Sequence, residues 1–239
     1  MFYKVFVIHS ILFFLFFISC SNSPTSSKEI TTETGTVTDI DGNVYKTVKI
    51  GNQWWMAENL KVTRYRNGDA IHYETDNTAW SNLTKGAYCT YNNDIGNIAA
   101  YGLLYNWYAV GDSRNIAPVG WHIPTHEEWK EMEIYLGMSQ SETDKTGHRG
   151  TDEGNKLKAQ IGWTNNGNGT DESGFTALPG GSRSDYDGTF SGISSIGFWW
   201  TATLSASTAW FRALDNNHST IFCSYYDRTY GFSVRCVKD

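Results

Sequence analysis

Short runs of aromatic and β-branched residues, separated by clusters of Gly, Asn and Asp, constrain the fold of this chain more than any other feature. The chain has 23 Gly, 14 Tyr, 12 Phe and 10 Trp but only 4 Pro. Such a pattern is typical of β-strands joined by tight turns. The pair Asp41-Gly42 lies between alternating runs at 36–40 and 44–50, and therefore predicts a β-hairpin. Further strands are predicted at 53–56, 175–178, 197–201, 209–213, 219–225 and 230–237.

One helix is marked by its first residues. Thr125 and Glu128 have the spacing of a capping box, and Trp129, Met132 and Leu136 then recur on one helical face. A glycine follows and ends the helix. Shorter helices are predicted over 103–110 and 155–160. The expected fold class is α+β, with irregular antiparallel sheets, two or three short helices and long loops.

The beginning of the chain predicts export and anchoring. Lys4 precedes an apolar stretch that is too short to span a bilayer comfortably and is typical of a signal peptide. The stretch ends at Cys20 as in a bacterial lipobox, where the cysteine is diacylated and becomes the first residue of the mature protein. An ordinary signal peptide with an incidental cysteine is the alternative. We expect a lipoprotein signal peptide at 1–19, then a lipidated cysteine and a flexible Ser/Thr-rich tether at 20–35.

The remaining residues, 36–239, are enough for one domain with its own core. Removal of the signal peptide takes away Lys4 and no acidic residue, so the net charge changes from −6 to −7. An acidic balance argues against a nucleic-acid partner. No later segment is apolar enough to cross a membrane, so the lipid anchor is the expected membrane contact. The expected location is the bacterial cell envelope, on the outer membrane, at its periplasmic or surface side.

The cysteines that follow the lipobox are Cys89, Cys223 and Cys236. In an oxidising compartment one pair can form and leave one thiol over. Cys236 shares strand parity with Phe232 and Val234, which favours a position in the core. We expect a Cys89–Cys236 disulfide, with three buried thiols as the alternative.

Motifs for metal binding and catalysis are not found. His122 and His126 have the spacing of a helical zinc pair, but Pro124 lies between them and the helix begins only after Thr125, so they share no helical face. Residues 39–43 resemble the start of a calcium loop, but the downstream Glu is missing and a hairpin turn accounts for them. No P-loop and no Gly-x-Ser-x-Gly motif occurs. We expect no metal, no cofactor and no catalysis.

Aromatic residues beside amides and carboxylates mark the candidate ligand-binding loops. Sugars stack on rings and form hydrogen bonds with such groups, although most of these rings are expected in the core. Loops carry ligand contacts more often than the scaffold does, which favours the loops at 91–94, 183–188 and 210–217. The candidate residues are Tyr91, Asn93, Asp94, Tyr186, Trp210, Asp215 and Asn216.

Seven ordered segments resemble the Fibrobacter succinogenes major paralogous domain. They are residues 39–51, 55–60, 86–89, 101–110, 117–125, 178–183 and 231–239. The resemblance covers nearly the whole of 36–239. The family is common on bacterial lipoproteins, which agrees with a lipidated Cys20. Its biochemical role is largely undefined, so the resemblance implies a fold and a location more than an activity.

A more distant resemblance is to the formylglycine-generating, sulfatase-modifying group. It is carried by 124–129, 180–183 and 231–236, and it implies a variant of the C-type lectin fold. Enzymes of that group hold copper with two cysteines, for which only Cys223 and Cys236 are candidates here. The residues around Cys223 depart from that active-site segment, so no catalytic role is carried over. The Glu-Pro-Asn and Gln-Pro-Asp motifs of calcium-dependent lectins are absent.

These observations predict a membrane-anchored lipoprotein that binds a glycan or a protein and catalyses no reaction. Two alternatives stay open. The first is a cysteine-dependent modifying enzyme of the formylglycine-generating type, which requires two free, neighbouring cysteines. The second is a structural component of the envelope or of a surface assembly, without a small ligand.

Overall fold

The computed structural model describes residues 1–2 and 32–239. Cys20 lies outside the described residues, as do most of the predicted signal peptide and tether. Thr32–Asp239 form one compact unit. Within the described part of the chain, no helix has the length and apolar character needed to cross a bilayer.

The described residues form short strands and helices. The strands are β1 (Thr34–Thr38), β2 (Val44–Ile50), β3 (Gln53–Met56), β4 (His72–Tyr73), β5 (Ala87–Cys89), β6 (Leu104–Tyr105), β7 (Trp121–His122), β8 (Gly147–Arg149), β9 (Gly180–Arg183), β10 (Phe190–Ile193), β11 (Ile196–Ser205), β12 (Thr208–Asp215), β13 (Ile221–Asp227) and β14 (Val237–Lys238). The α-helices are α1 (Asn77–Ser81), α2 (Ile98–Tyr101), α3 (Trp107–Val110), α4 (His126–Leu136), α5 (Gln140–Thr143) and α6 (Glu153–Leu157), and single 3₁₀ turns lie at Tyr91–Asn93 and Ile95–Asn97.

These strands form three sheets. The first has the order β1-β2-β3-β14-β7, the second β10-β9-β11-β12-β13-β8, and the third β4-β5-β6. Most neighbours are antiparallel, whereas β9 pairs with β11, and β4 with β5, in parallel. The α+β class is therefore confirmed.

The predicted hairpin at Asp41-Gly42 is confirmed by the antiparallel pairing of β1 with β2. The carboxylate of Asp39 organises the turn, because it accepts hydrogen bonds from the backbone N–H groups of Asp41 and Asn43, both at 2.9 Å. Gly42 has a φ of +83°, a backbone conformation that favours glycine. β1 begins at Thr34, so it includes the last two residues of the predicted tether.

The predicted long helix is confirmed as α4. Thr125 caps it, and the side chain of Glu128 completes the capping box. Trp129, Met132 and Leu136 are buried on its inner face. The two shorter predictions are correct only in part, because 103–110 contains β6 before α3, and 155–160 overlaps α6, which ends at Leu157.

The predicted strands at 175–178 and 230–237 are wrong, apart from Val237. Neighbouring residues of the second segment are all buried: Phe232 is 0 % exposed, Ser233 1 %, Val234 0 % and Arg235 2 %. Its backbone forms isolated bridges to Tyr105, Arg183 and Trp199, which belong to two different sheets. The segment therefore runs through the interior and links the sheets, instead of alternating between a core face and a solvent face as a half-buried strand does.

Most of the aromatic rings pack in the core, which has three clusters. In the second cluster Trp55, Trp129 and Phe175 meet edge to face, with centroids 5.1 to 6.0 Å apart. Such pairs stabilise a core beyond the area that they bury. Rings that stay at the surface are therefore the informative ones for a binding site.

Candidate functional site

The first predicted binding loop is fixed by its own contacts. Tyr91 is only 6 % exposed, and its ring packs against Phe190 with centroids 5.4 Å apart. Asn93 donates from its side chain to the Thr75 carbonyl at 3.0 Å. The exposed side chain of Asp94 caps the next 3₁₀ turn. The Tyr91 ring is thus a core contact in the structure, and a ligand at the surface does not reach it.

The second predicted loop, between β9 and β10, carries Tyr186, which is 89 % exposed. The buried guanidinium of Arg183 donates to the Gly188 carbonyl at 2.9 Å and so holds this loop from beneath. Arg183 also donates to the carbonyl of Thr75, the atom that Asn93 binds. The first two predicted loops are therefore neighbours.

The third predicted loop does not gather its residues at one place. Trp210 and Asp215 lie on opposite faces of β12, because their separation in the strand is odd. The Trp210 ring packs between His126 at 4.3 Å and Tyr225 at 5.2 Å, centroid to centroid. Asn216 is 9 % exposed and donates to a threonine hydroxyl at 2.8 Å. Of this group, Asp215 alone belongs to the cluster of ionisable side chains described below.

Two tyrosines that sequence reasoning missed lie beside the second loop. Tyr226 and Tyr230 stack with centroids 4.9 Å apart and an interplanar angle of 25°. Tyr226 is 39 % exposed. Arg183 and Gly231 form a backbone bridge, which places the loop after β9 next to Tyr230.

We use the name aromatic face for Tyr186, Tyr226 and Tyr230 together with Asp185 and Asp187. Burial and the neighbouring Asp185 raise the pKa of Tyr230 to about 12, which reports the closeness of ring and carboxylate. Backbone and side-chain hydrogen bonds from Thr189 lower the pKa of Asp187, so this carboxylate is charged at neutral pH. The aromatic face therefore presents exposed rings flanked by hydrogen-bond acceptors.

A second group of chemical interest, the His–Asp cluster, consists of His148, Asp215 and His218. Their donor atoms lie within 4.8 Å of one another. His218 Nδ1 lies 2.8 Å from Asp215 Oδ1, and His148 Nε2 lies 3.7 Å from Asp215 Oδ2. The two imidazole rings are 3.9 Å apart, centroid to centroid. Imidazole and carboxylate groups together form a donor set that several divalent transition metals accept.

No metal site is predicted from the sequence, and of this cluster only Asp215 is among the candidate residues. Burial and the neighbouring His218 lower the pKa of His148, against the opposing effect of Asp215. His218 follows Asp215 in the same turn, but His148 lies on β8, far away in sequence. The only local signal is an Asp-x-x-His turn, which is too common to indicate a site. The pairing of β8 with β13 completes the cluster, and no pattern in the sequence predicts that pairing.

On the other face of the strands that carry His148 and Asp215 lies a fully buried ionic group. We call it the carboxylate-paired centre, and it is made of Glu133, Arg149 and Arg212. Arg149 binds both carboxylate oxygens of Glu133, at 2.7 and 2.8 Å, and Arg212 Nε donates to the same carboxylate at 2.6 Å. All three side chains are at most 1 % exposed. The centre joins α4 to β8 and β12, the two strands that carry His148 and Asp215.

Two other buried arginines are held by neutral oxygen atoms, and we call them the carbonyl-held arginines. Arg183 stacks on Trp80 and Phe190, at 4.5 and 4.8 Å from the ring centroids. Arg235 donates to the carbonyls of Phe175 and Thr176 and to the side-chain oxygen of Asn59. Burial lowers the pKa of Arg235 to about 9.

All three cysteines of the described residues are free and buried. The predicted Cys89–Cys236 disulfide is therefore not formed in the structure, and the alternative of buried thiols is found instead. The two residues lie in different core clusters: Cys89 packs near Trp80, whereas Cys236 packs in the largest cluster. Burial raises the pKa of Cys89 to about 12 and also raises the pKa values of Cys223 and Cys236.

Comparison with known proteins gives a family. The family model of the Fibrobacter succinogenes major domain matches residues 48–238. The chain belongs to this family. No curated protein and no solved structure matches the chain. The first resemblance seen in the sequence is thus confirmed.

Membership of the Fibrobacter succinogenes major domain family brings no activity with it. The resemblance to the sulfatase-modifying group finds no support, and the C-type-lectin-like fold stays a prediction. The active-site cysteines expected of that group are also separated here, since Cys223 lies on β13 of the second sheet and Cys236 directly precedes β14 of the first.

Proposed function

We propose that the protein is a lipid-anchored component of the bacterial cell envelope whose domain binds a glycan and catalyses no reaction. A protein ligand is the alternative for the same surface. The single observation that carries the proposal is the aromatic face, where Tyr186 is 89 % exposed beside the stacked pair Tyr226 and Tyr230. Exposed rings beside carboxylates suit a sugar, because its C–H face stacks on the rings and its hydroxyl groups donate to the acids.

The way the loop is held supports binding at this face. A side chain as exposed as Tyr186 is commonly mobile, but here the loop is tied down by the buried Arg183 through the Gly188 carbonyl. The side chain of Ser184 also accepts a hydrogen bond from the Tyr186 backbone at 3.2 Å. A loop that is already ordered loses less conformational entropy when a ligand binds.

The absence of catalysis in this proposal is supported by the cysteines. A cysteine-dependent enzyme needs a thiolate that is accessible or bound to a metal. Cys223 and Cys236 are both 0 % exposed, and burial raises the pKa of each thiol, which favours the protonated form. These features do not suit the modifying-enzyme alternative.

Anchoring through Cys20 is proposed from the sequence at the beginning of the chain. A Cys20→Ser variant should leave the membrane fraction and fail to incorporate labelled fatty acid. Retention of the label by this variant would refute lipidation at Cys20, and release of the wild type from the membrane by salt would refute a lipid anchor altogether.

Glycan-array binding by the purified protein tests the binding proposal directly. The test variant is Tyr186→Ala combined with Tyr226→Ala, and the matched control is Tyr135→Ala, which removes a tyrosine that is 59 % exposed on α4. Two aromatic contacts of about 0.5–1.5 kcal/mol each together correspond to a loss of affinity of roughly 5- to 150-fold. The control should bind as the wild type does.

The other outcomes also decide between the hypotheses. Equal binding by wild type and the double variant would remove the aromatic face from the site, and a Trp210→Ala variant would then test the opposite face of the sheet. The array is run with calcium and again with chelator, because loss of binding in chelator would show a metal-dependent site. A negative array together with a co-purifying envelope protein would replace the glycan by a protein partner or a structural role.

A further inference from the structure

The His–Asp cluster is assembled by strand register and lies apart from the aromatic face. His148 on β8 pairs with Phe222 on β13, and Phe222 pairs with Ala213 on β12. Residues that face each other across a sheet project to the same side, and so do residues two apart in one strand. Asp215 lies two residues after Ala213. The register therefore sets His148 and Asp215 on one face of the sheet, at the edge where β8 is the last strand.

The turn that brings the third member, His218, is held by buried contacts. Lys158 is 2 % exposed, and its Nζ donates to the backbone carbonyls of Asp215 and His218 at 3.1 and 2.8 Å. The backbone N–H of Asn217 donates to Asp215 Oδ1 at 2.8 Å. These bonds fix the turn from both sides, so Asp215 and His218 meet without a further loop movement.

The orientation of His148 also suits a ligand role. Its Nδ1 lies 3.2 Å from the hydroxyl of Thr220. If Nδ1 carries the proton in this contact, Nε2 is left with a free lone pair. That Nε2 atom faces Asp215 Oδ2 at 3.7 Å, a distance beyond a hydrogen bond. Fixing the remote nitrogen of a histidine by a partner is the arrangement that orients metal-binding imidazoles in general.

We propose that His148, Asp215 and His218 bind one divalent transition-metal ion, with zinc as the best fit. Zinc accepts histidine nitrogen and carboxylate oxygen at about 2.0–2.2 Å and commonly takes three protein ligands with one open position. Ligand atoms around a tetrahedral zinc ion lie about 3.3–3.6 Å apart. His148 Nε2 and Asp215 Oδ2 come close to this separation at 3.7 Å. His218 Nδ1 is hydrogen-bonded to Asp215 Oδ1 at 2.8 Å, so an ion would displace the proton of that bond and move the two atoms slightly apart. The side chains of His148 and His218 are 36 % and 49 % exposed, so an ion can enter from solvent.

A polar cavity adjoins one of the three proposed ligands. His218 also lines an open polar cavity of about 290 Å³. The cavity is lined by the asparagines Asn155, Asn166, Asn168, Asn216 and Asn217. Neither His148 nor Asp215 lines this cavity, so it adjoins the proposed metal site through His218 alone.

Calorimetric titration of the metal-depleted protein with zinc chloride in a non-chelating buffer tests the proposal. We expect one equivalent to bind. Loss of an outer partner of a metal ligand costs about 10–100-fold in affinity. Thr220→Val should therefore weaken binding about tenfold, and His148→Ala or His218→Ala should weaken it by at least about 100-fold. The melting temperature of the wild type should rise with zinc, and that of the alanine variants should not.

The matched control is His72→Ala. His72 is 41 % exposed and lies 3.0 Å from Glu74, so it is a histidine–carboxylate pair of similar exposure without a third ligand. Zinc binding should be unchanged in this variant. Thr220→Val guards against a folding artefact, since it keeps both histidines. Cobalt(II) added to the wild type should give the visible absorption of a low-coordinate site.

Two results would overturn the proposal. The first is a titration in which wild-type protein binds no zinc. The second is equal binding by wild type, His148→Ala and His218→Ala, which would locate the metal elsewhere. Neither result bears on glycan binding at the aromatic face, so the two proposals succeed or fail independently.

Discussion

Glu133 and Arg183 mark two buried regions that accommodate arginine charge in different ways. In the carboxylate-paired centre one carboxylate receives the charge-assisted bonds of Arg149 and Arg212, at 2.6 to 2.8 Å. At the carbonyl-held Arg183, the guanidinium is shared among the carbonyls of Glu74, Thr75 and Gly188, at 2.5 to 3.0 Å, and the Asn77 side chain. The first region depends on one residue, whereas the second spreads the charge over many partners.

The pKa values of the arginines reflect the same difference. Burial alone would lower the pKa of Arg149, but the Glu133 carboxylate more than offsets it, so the pKa is raised. Arg235, which like Arg183 is held by neutral oxygens, has its pKa lowered to about 9 because burial outweighs the opposing charges of Asp171 and Glu58. A single carboxylate thus stabilises a buried guanidinium strongly, but loss of that carboxylate leaves the charge without a counter-charge. Several neutral partners stabilise the charge less, and loss of one of them leaves the others in place.

Glu133→Gln should give the largest effect. The variant keeps the side-chain shape but leaves two buried guanidinium groups without a counter-charge, which typically costs about 3–5 kcal/mol of unfolding free energy. Urea denaturation of wild type and variant measures this change in unfolding free energy. The matched control is Glu127→Gln on the same helix, whose exposed side chain should change stability by no more than about 0.5 kcal/mol. A cost below about 1 kcal/mol for Glu133→Gln would show that the two regions do not differ as argued.

Arg183→Met should cost less, about 1–3 kcal/mol, because it leaves buried carbonyls without a donor but removes a charge rather than stranding one. It should also loosen the loop that carries Tyr186, seen as faster proteolysis within 184–189. The control is Arg64→Met, which breaks one ion pair of a half-exposed guanidinium with Asp41 and should cost at most about 1 kcal/mol. If Arg183→Met lost as much unfolding free energy as Glu133→Gln, the carbonyl-held arginines would not differ from the carboxylate-paired centre.

Acid should weaken the carboxylate-paired centre through His126. Burial, and then the charge of Arg212, lower the pKa of His126 to about 3 from an ordinary 6.5. Arg212 Nη1 also donates to His126 Nδ1 at 3.1 Å, which requires the neutral ring. As the pH falls from 6.5 towards 3, the unfolded chain takes up a proton that the folded protein does not, so the stability falls.

At pH 5, the loss of unfolding free energy caused by His126 should reach about 2 kcal/mol, measured as the difference between wild type and His126→Gln. The variant keeps a neutral acceptor for Arg212 and cannot titrate, so it should lose less stability between pH 7 and pH 5. Urea denaturation at pH 7 and pH 5 measures this difference. The contributions of the other titrating groups cancel, because both proteins share them. Parallel losses in the two proteins would mean that His126 titrates normally.

Local chemistry made part of the fold predictable. The hairpin at Asp41-Gly42 and the capping box at Thr125 and Glu128 are confirmed because each depends on residues within one turn of each other. The segment 230–237 was mispredicted as a strand, because its apolar alternation is real but its polar residues are buried too. Ser233 and Arg235 find partners on distant segments, which periodicity does not report.

The candidate sites were less predictable for a related reason. Tyr186 is a candidate from the sequence and its ring is exposed, but its neighbours Tyr226 and Tyr230 are brought close by the bridge between Arg183 and Gly231. His148 joins Asp215 only through the β8–β13 register. The sequence shows which side chains are present, whereas long-range strand pairing determines which of them lie close together.

The position of β14 has a consequence for how the protein matures. This strand is the last in sequence among the described residues, yet it lies between β3 and β7 in its sheet. Because the chain is synthesised from its N-terminus, that sheet stays divided until Val237 has emerged from the ribosome. Pairing over such a distance is slow, because the ends must find each other first. Closure of this sheet is therefore a late event in folding, because it must wait for the strand that is synthesised last.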